Sequence, residues 1–411
     1  MTTVIRNGIV IDTEPNPVVL RDTDVLIEDG KIAAVGKGLS GDEVIDATGR
    51  IVLPGFVDSH RHTWQAAIRA VAPNTDFAGY LRTVLGELAP RFAPEDVRAG
   101  NLAGALEALD AGITTLLDWS HIQFTPQHTD ATVDALRASG IRAVFGYCYG
   151  GPAEGFEAET RRVRDLGVPM AMAALGPEIV SREQALREWR LAAELDLDIT
   201  AHLGSHSGQS AGDTLAWLRD SGLLEQRITY IHANHYTDEA LKVIAESGGS
   251  VSVSPIDEMT LGMGDPITGR ARAAGMPVSL SADTVVCAPG DMFSLMRAAF
   301  MMERGRITVA DTLRMATLEG AQVVGLGDVV GSLRPGKQAD LVLLRTDTLG
   351  MAAAHDPIGA VVLNADTSTV DTVLVGGKVV KRDGRLVGHD LAKVLSDLDE
   401  AARRVLGTPE G

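Results

Sequence analysis

The chain has 411 residues, of which 45% are hydrophobic and 22% charged, and its 55 acidic and 37 basic residues give a formal net charge of −18. This composition is typical of a globular protein, and the length suits one large domain with a smaller one. Nucleic acid and anionic membranes both need a basic surface, so neither is an expected partner of this acidic chain.

The cysteine content and the N-terminus indicate a reducing compartment. Cys148 and Cys287 are the only cysteines, and neither belongs to a C-x-x-C pair, so we expect both to be reduced and no disulfide framework to form. Residues 1–8 lack the charged and apolar regions of a signal peptide. No apolar stretch is long enough to cross a bilayer. We therefore expect a cytoplasmic protein.

The first fifty residues predict short strands joined by tight turns. Two apolar segments flank Asn7-Gly8, a dipeptide typical of a β-hairpin. Further along, 24–28 and 31–35 alternate apolar and polar residues on either side of Asp29-Gly30, which predicts a second hairpin.

The middle of the chain, residues 55–333, alternates apolar strands with helical segments. Helices are predicted at 131–139 and 182–195. Strands are predicted at 57–60, 113–118, 142–146, 171–175, 198–202, 228–232, 250–253 and 278–283. Eight such units predict a (β/α)8 TIM barrel, which needs about 250 residues. The competing doubly wound sheet lacks support, because no glycine-rich phosphate fingerprint opens a helix here.

The C-terminal region returns to the pattern of the N-terminus. Strands are predicted at 340–344 and 370–375, with turns at Gly376-Gly377 and Asp383-Gly384. An amphipathic helix and a short tail follow from Asp390. We therefore predict a composite β-sandwich domain from 1–54 and 334–411, including that helix, and a barrel domain from 55–333.

Metal-ligand residue types stand at the ends of several predicted barrel strands. His60 and His62 are two residues apart on the first strand, so both imidazoles can face one point. His202, His232 and Asp283 end the fifth, sixth and eighth strands. An isolated H-x-H pair is more often structural, but the carboxyl ends of barrel strands meet at one rim, where active sites are built. Together these residues predict a site for a divalent transition metal.

With these motifs the chain resembles the amidohydrolase superfamily, and within it the branch of cytosine-deaminase-like and triazine-hydrolase-like enzymes. The resemblance covers nearly the whole chain. It rests on "GRIVLPGFVDSHRH" near the start and "GSLRPGKQADLVLL" near the end, with "AGITTLLD", "AHLG", "YIHANHYTDEAL" and "SLSAD" between them. It implies that the barrel, 55–333, is a metal-dependent hydrolase domain.

The resemblance also implies a ligand set and a chemistry. His60, His62, His202 and Asp283 are the implied ligands of one divalent metal, with zinc expected and iron as the alternative. His232 is implied to contact the attacking water or the substrate, so that His232 and Asp283 are the catalytic residues. No lysine ends the fourth strand, which argues against a binuclear centre built on a carbamylated lysine. The family also implies a homo-oligomer, a dimer or larger.

One position departs from the pattern of the branch. Its deaminases carry glutamate three residues after the fifth-strand histidine, where this chain has Ser205. Serine is not an acid at neutral pH, and loss of a positioned general acid or base typically costs about 10²–10⁴ in rate. His206, Glu178, Asp257 or Glu258 could supply the proton transfer, or could be ordinary loop residues.

Other residues are candidates for contact with a small-molecule substrate. Trp64 could stack on a planar ring or pack within a helix, and Arg69 could hold an anionic group. His121, after Asp118-Trp119-Ser120, could line the pocket or be structural. The full candidate set is Trp64, Gln65, Arg69, His121, Glu178, Ser205, His206 and Glu258.

Three functions fit these observations. The first is metal-dependent hydrolysis of a non-peptide C–N bond, by deamination or amide or ring hydrolysis of a nitrogen heterocycle. The second is hydrolytic removal of chloride or an alkylamine from a heteroaromatic ring, because a halide leaves without a proton and makes Ser205 less costly. The third is a non-hydrolytic lyase, isomerase or metal-holding scaffold on the same barrel. The intact ligand set argues against an inactive scaffold.

Overall fold

The N-terminal segment forms five strands. The computed structural model describes residues 2–407. The strands are β1 (Thr2–Asp12), β2 (Val18–Glu28), β3 (Lys31–Gly36), β4 (Glu43–Asp46) and β5 (Arg50–Pro54). The predicted hairpin at Asp29-Gly30 is confirmed, because β2 pairs with β3 antiparallel and both turn residues have positive φ.

The predicted hairpin at Asn7-Gly8 is wrong. Strand β1 runs straight through this dipeptide, and its pairing with β2 shifts register on either side of Gly8. Asn7 has φ +62° and donates its backbone N–H to the Asp24 carboxylate at 2.9 Å. The left-handed conformation of Asn7 therefore belongs to a β-bulge and not to a turn. On its other edge β1 pairs with β4 before the bulge and with β5 after it.

The middle of the chain forms eight parallel strands, as predicted. They are β6 (Phe56–Arg61), β7 (Ile113–Gln123), β8 (Arg142–Tyr149), β9 (Met170–Ala174), β10 (Ile199–Leu203), β11 (Ile228–His232), β12 (Ser250–Val253) and β13 (Val278–Leu280). They lie in chain order in one sheet. The sheet closes where the His62 N–H donates to the Asp283 carbonyl (2.8 Å) and the Asp283 N–H donates to the His60 carbonyl (3.0 Å). The barrel prediction is confirmed, and its closure brings the first and eighth strand ends together.

The C-terminal strands complete the N-terminal sheet. They are β14 (Leu341–Arg345), β15 (Val370–Val375), β16 (Lys378–Arg382) and β17 (Arg385–Leu386). Strand β14 pairs antiparallel with β5, which gives one nine-stranded mixed sheet from both ends of the chain. This confirms the composite β-domain. Along β5 the side chains alternate: Val52 packs into that domain's own core, whereas Ile51 and Leu53 join the barrel core.

Helices surround the barrel and end the chain. They are α1 (Phe77–Tyr80), α2 (Pro94–Asp110), α3 (Pro126–Ser139), α4 (Phe156–Asp165), α5 (Arg182–Glu194), α6 (Gly208–Asp220), α7 (Asp238–Glu246), α8 (Pro255–Thr260), α9 (Thr268–Ala273), α10 (Met292–Met302), α11 (Val309–Met315), α12 (Leu318–Val323), α13 (Pro357–Leu363) and α14 (Leu391–Leu406). The predicted helices 131–139 and 182–195 correspond to α3 and α5. Among residues 2–407 no helix combines the length and apolarity needed to cross a membrane.

Irregular helical turns interrupt this pattern near the first strand. A 3-10 turn spans Thr63–Ile68, a π-helix Leu81–Leu88 continues directly from α1, and a second 3-10 turn spans Ala89–Arg91. A further 3-10 turn, Thr367–Thr369, precedes β15. The insertion between β6 and α2 therefore adds a short helical layer over the barrel.

The domain boundaries after residues 54 and 333 remain a proposal. Strand β5 ends at Pro54 and β6 begins at Phe56, whereas Leu333 already packs into the β-domain core. The C-terminal helix α14 lies against α2 of the barrel, where Arg404 pairs with Asp96 at 2.6 Å. The predicted tail from 408 lies outside the described residues.

Candidate metal centre and substrate cavity

Five ionisable side chains meet at the carboxyl end of the barrel. The ring nitrogens of His60, His62 and His202 lie within 4.8 Å of one another, and a ring nitrogen of His60, one of His232 and a carboxylate oxygen of Asp283 form a second group of this size. His60, His202 and His232 lie in β6, β10 and β11, His62 directly follows β6, and Asp283 follows β13. Separate strands thus deliver every predicted ligand to one place.

Asp283 lies at the centre of the cluster. Its Oδ1 is 3.2 Å from His60 Nε2 and 3.3 Å from His62 Nε2, and its Oδ2 is 3.5 Å from His232 Nε2. Asp283 and His232 both adopt left-handed backbone conformations, with φ of +51° and +67°. Such conformations cost a non-glycine residue roughly 1–2 kcal/mol each, so surrounding structure holds both side chains in these positions.

Hydrogen bonds behind the rings set their orientation. His62 Nδ1 lies 2.7 Å from the Trp119 carbonyl, which can only accept, so Nδ1 carries the proton and the Nε2 lone pair faces Asp283. His202 packs edge-on against the Trp119 indole at 4.5 Å between ring centroids. The imidazoles are therefore presented as neutral nitrogen donors.

Burial reinforces this charge state. Desolvation lowers the pKa values of His60 and His202, and lowers the pKa of His62 to about 3. Burial alone would raise the pKa of Asp283, but its hydrogen bond to His60 and the nearby histidines outweigh burial and lower it. Neutral imidazoles beside an ionised carboxylate are the donor set that zinc and iron(II) accept, so these residues fit a divalent metal.

His232 differs from the other histidines. Burial opposes its charged form, but the hydrogen bond to Glu258 and the charges of Asp283 and Glu258 outweigh burial and raise its pKa. Its Nδ1 lies 3.1 Å from Glu258 Oε1. Glu258 is fully buried and also accepts from the Ser254 N–H at 2.8 Å and from the Asn234 amide at 3.0 Å. This carboxylate thus orients His232 from behind.

A cavity of about 300 Å³ opens beside the cluster and is lined by both His62 and His202. Its outer wall comes from the inserted helical layer, through Phe77, Tyr80, Leu81 and Leu85. Trp119, Leu175 and Ile179 continue the apolar wall from the barrel. Sequence reasoning missed these seven residues, because the segment 77–88 carries no motif and the others read as ordinary core.

Three of the predicted substrate residues line this cavity. They are His121, Glu178 and His206. His121 lies within β7, because that strand extends beyond the predicted 118, and its ring stacks on His62 at 4.0 Å between centroids. Glu178 lies 3.2 Å from His206 Nδ1 and accepts the Gly204 N–H at 2.7 Å.

The other five predicted substrate residues lie outside the cavity wall. Trp64 is buried in a core cluster, and its indole N–H donates to His121 Nδ1 at 3.2 Å. Gln65 bonds Tyr80 Oη at 2.8 Å, and Arg69 pairs with Glu107 at 2.9 Å. Ser205 lies beneath His206, and Glu258 lies behind His232. The positions of these five residues do not support direct contact with a substrate, which remains a prediction.

Buried serines of several barrel strands form a hydrogen-bonded layer inside the barrel. Ser59 Oγ lies 2.7 Å from Ser252 Oγ and 2.6 Å from Ser279 Oγ, and Ser281 continues the network from Ser252 at 2.9 Å. Barrel interiors usually hold branched apolar side chains. The alternating serines of β12 and β13 are the sequence signal that could have revealed this polar layer.

Comparison with known proteins gives consistent results. The model of the amidohydrolase family matches residues 51–380. A 5-methylthioadenosine/S-adenosylhomocysteine deaminase of Desulforudis audaxviator is 30% identical over 99% of both chains. An adenosine deaminase structure from Xanthomonas campestris with bound zinc is 25% identical, with a TM-score of 0.89 and 98% of each chain covered. A triazine hydrolase variant is also 25% identical, with a TM-score of 0.89, covering 98% of this chain and 99% of the other.

Proposed function

The chain belongs to the amidohydrolase family, and on that premise we propose that it uses a metal ion to hydrolyse a non-peptide C–N bond of a nitrogen heterocycle, most directly by deamination. The observation that carries the proposal is the meeting of His60, His62, His202 and Asp283 beside a cavity of heterocycle size. Ligand cavities start at about 300 Å³. The similarity to nucleoside deaminases supports an amine as the leaving group.

We assign the metal to His60, His62, His202 and Asp283. A divalent ion held there would lower the pKa of a bound water from 15.7 to about 7. Zinc is the proposed ion, supported by the zinc in the similar adenosine deaminase, and iron is the alternative.

The protein's own side chains then handle protons and charge. Asp283, whose pKa is lowered, accepts one of the two protons of the attacking water. That proton passes to the amine as the C–N bond breaks. His232, held by Glu258, donates a hydrogen bond to the oxygen or nitrogen on which negative charge develops.

The cavity wall supports a neutral planar substrate. Most of the lining is apolar or aromatic, and neither lysine nor arginine belongs to it. Arg69, the predicted anion holder, is paired with Glu107 instead. A purine or triazine ring with an apolar substituent matches this wall better than a phosphorylated compound does.

Ammonia release tests this function. Protein purified without chelator is offered amino-purines, amino-pyrimidines, pterins, amino-triazines and 5′-modified adenosines. We expect ammonia from at least one class, loss of that activity after chelation, and recovery on adding zinc or iron. Release of neither ammonia nor any other leaving group from the whole panel would contradict the proposal.

A second candidate is the removal of chloride or an alkylamine from a heteroaromatic ring. Ser205 favours it, because chloride departs without a proton and needs no carboxylic acid at this position. The similar triazine hydrolase structure supports the same alternative. Release of chloride without ammonia from matched chloro and amino rings would select it.

Two expectations about the whole protein remain proposals as well. We propose a homo-oligomer, a dimer or larger, which light scattering of the purified protein measures directly. Cytoplasmic location is the other, and fractionation of the source cells tests it.

A further inference from the structure

We propose that His206 and Glu178 together form the proton relay of this site, in place of the carboxylic acid that Ser205 does not provide. His206 is the catalytic acid and base, and Glu178 is its positioning residue. This inference rests on the proposed hydrolysis of a nitrogen heterocycle. It names the group that moves the first proton of the attacking water.

Ser205 itself is not the relay. The residue is 3% exposed, and its hydroxyl lies 3.2 Å from His206 Nδ1. A serine hydroxyl neither gains nor loses a proton near neutral pH without a strong base beside it. What Ser205 contributes is a second contact to the Nδ1 edge of the neighbouring imidazole.

The two carboxylates after β12 form hydrogen bonds with buried groups outside the cavity. Glu258 accepts hydrogen bonds from His232, Asn234 and the Ser254 backbone. Asp257 is fully buried, contacts the Cys287 thiol at 3.1 Å and accepts the Thr284 N–H at 3.3 Å. Neither residue lines the cavity, and these buried contacts already hold both carboxylates, so neither is placed as well as a cavity residue to act as the relay.

Glu178 and His206, in contrast, both line the cavity. Glu178 lies between β9 and α5, and His206 lies between β10 and α6, so two adjacent barrel loops supply the pair. The Glu178 side chain is only 1% exposed, whereas that of His206 is 30% exposed. The buried partner is thus the carboxylate and the accessible partner is the imidazole.

The contacts of Glu178 keep it charged. Burial alone would raise its pKa, but the hydrogen bonds from His206 and the Gly204 backbone outweigh burial and lower the pKa of this carboxyl. A carboxylate 3.2 Å from Nδ1 accepts a hydrogen bond from the N–H of that nitrogen. The other ring nitrogen, Nε2, then carries the lone pair, and among residues 2–407 no hydrogen-bond partner occupies it. The arrangement has the parts of a carboxylate–histidine acid-base pair.

The proton balance of deamination fits this pair. Water brings two protons and one oxygen to the ring carbon. His206 Nε2 accepts the first proton as the O–C bond forms, and the imidazolium, stabilised by Glu178, returns it to the adjacent ring nitrogen. Asp283 accepts the second and delivers it to the departing amine. The products are ammonia and the ring carbonyl tautomer, with no oxidant or further reactant.

Substitutions at three positions test the relay. His206→Gln removes the ring nitrogen proposed to accept the proton, and Glu178→Gln removes the charge behind it. In the His206→Gln background, Ser205→Glu places a carboxylic acid at the adjacent position, and Ser205→Gln is its control of equal size without an acid. His355→Gln changes an exposed histidine outside the site. Turnover of the best panel substrate, metal content and thermal midpoint are measured for each.

We expect His206→Gln to lower kcat by about 10²–10⁴ and Glu178→Gln by about 10–100, with metal content and thermal midpoint retained. Adding Ser205→Glu to His206→Gln should restore at least about tenfold, and adding Ser205→Gln should restore nothing. A purely structural role would not produce this difference.

The outcomes separate the relay from the proposed function. An active wild type whose kcat survives His206→Gln within about threefold would overturn the relay alone, as would equal effects of Glu and Gln at 205. Loss of bound metal in His206→Gln would also overturn it, by assigning that histidine to the metal. A metal-loaded wild type that hydrolyses no heterocycle would overturn the proposed function, and the relay with it.

Discussion

Hydrogen bonds to neighbouring groups set the orientation of the imidazoles of the site. Trp119 fixes His62 through its carbonyl, Glu258 holds His232, and Trp64 donates to His121. These contacts decide which ring nitrogen carries a proton, and therefore which can bind a metal or a substrate. Replacing such a partner should alter activity without removing a ligand.

Glu258→Gln tests whether the hydrogen-bond partner of His232 affects activity. The amide retains the size of the side chain but cannot balance a protonated imidazole, so we expect kcat to fall about 10–100-fold while the metal stays bound. Glu246→Gln, at an exposed position at the end of α7, is the control and should leave kcat unchanged. Parallel kinetics and metal analysis measure both. Unchanged kcat in Glu258→Gln would contradict the role of this carboxylate.

His62 gives a prediction for pH. Burial lowers its folded-state pKa to about 3, whereas the unfolded chain takes up a proton near 6.5. Between these pH values the unfolded state binds more protons at this residue than the folded state. The free energy of unfolding therefore falls as the pH falls from about 6.5 towards 3, by up to about 1.4 kcal/mol per pH unit.

Urea unfolding of chelated protein measures this contribution. On going from pH 6.5 to pH 4.5 the wild type should lose stability relative to His62→Asn. Groups remote from His62 titrate alike in both proteins and cancel in the difference. Unfolding curves whose separation does not change with pH would contradict the assignment.

At the level of strands and helices, the features set by local residue patterns were predictable from the sequence. Eight apolar segments gave the barrel strands, and their phase placed His60, His62, His202 and Asp283 at one rim. The prediction of a turn at Asn7-Gly8 was wrong, because the pairing of β1 with β4 and then with β5 overrides the local preference of that dipeptide.

The cavity wall was beyond sequence reasoning for a related reason. The segment 77–88 combines a single α-turn with a π-helix, and its apolar residues recur at helical spacing, at positions 77, 80, 81, 84, 85 and 88. That spacing predicts an amphipathic helix, but it does not indicate that the apolar face covers the barrel rim. Likewise, only the three-dimensional contacts reveal that Arg69 forms an ion pair with Glu107 and that Trp64 packs in a hydrophobic core cluster. Metal ligands lie at strand ends and follow a simple rule, whereas substrate contacts depend on how loops fold over the rim.

Helix α14 carries a prediction of stability. Val405 is fully buried in the core cluster that α14 shares with the inserted helical layer, whereas Leu395 of the same helix is 60% exposed. Val405→Ala should lower the free energy of unfolding by about 2 kcal/mol through lost burial and a small cavity. Leu395→Ala should change it by less than about 0.5 kcal/mol. Equal effects in denaturant unfolding would contradict this packing.

The molecule as a whole is acidic, and its cavity has a mainly apolar wall that includes one carboxylate. The net charge is −18, and Glu178 lines a cavity whose wall includes neither lysine nor arginine. An anionic substituent would meet like charge and lose its hydration there. We therefore expect neutral substrates to be preferred.

A nucleoside and its 5′-monophosphate test this preference on one ring system. We expect kcat/KM for the monophosphate to be at least about 100-fold lower, since juxtaposed like charges cost several kcal/mol. The methylthio nucleoside, neutral at the same position, is the matched control and should be processed at least as well as the parent. Equal kcat/KM for nucleoside and monophosphate would refute the preference.

The central claim is that one barrel brings His60, His62, His202 and Asp283 to a single ion. An anomalous difference map at a transition-metal edge, from crystals of protein never exposed to chelator, tests it most directly. The account predicts one peak per chain, within about 2.0–2.2 Å of a nitrogen of each histidine and an oxygen of the aspartate. Absence of a peak there, or an ion held by other side chains, would contradict it.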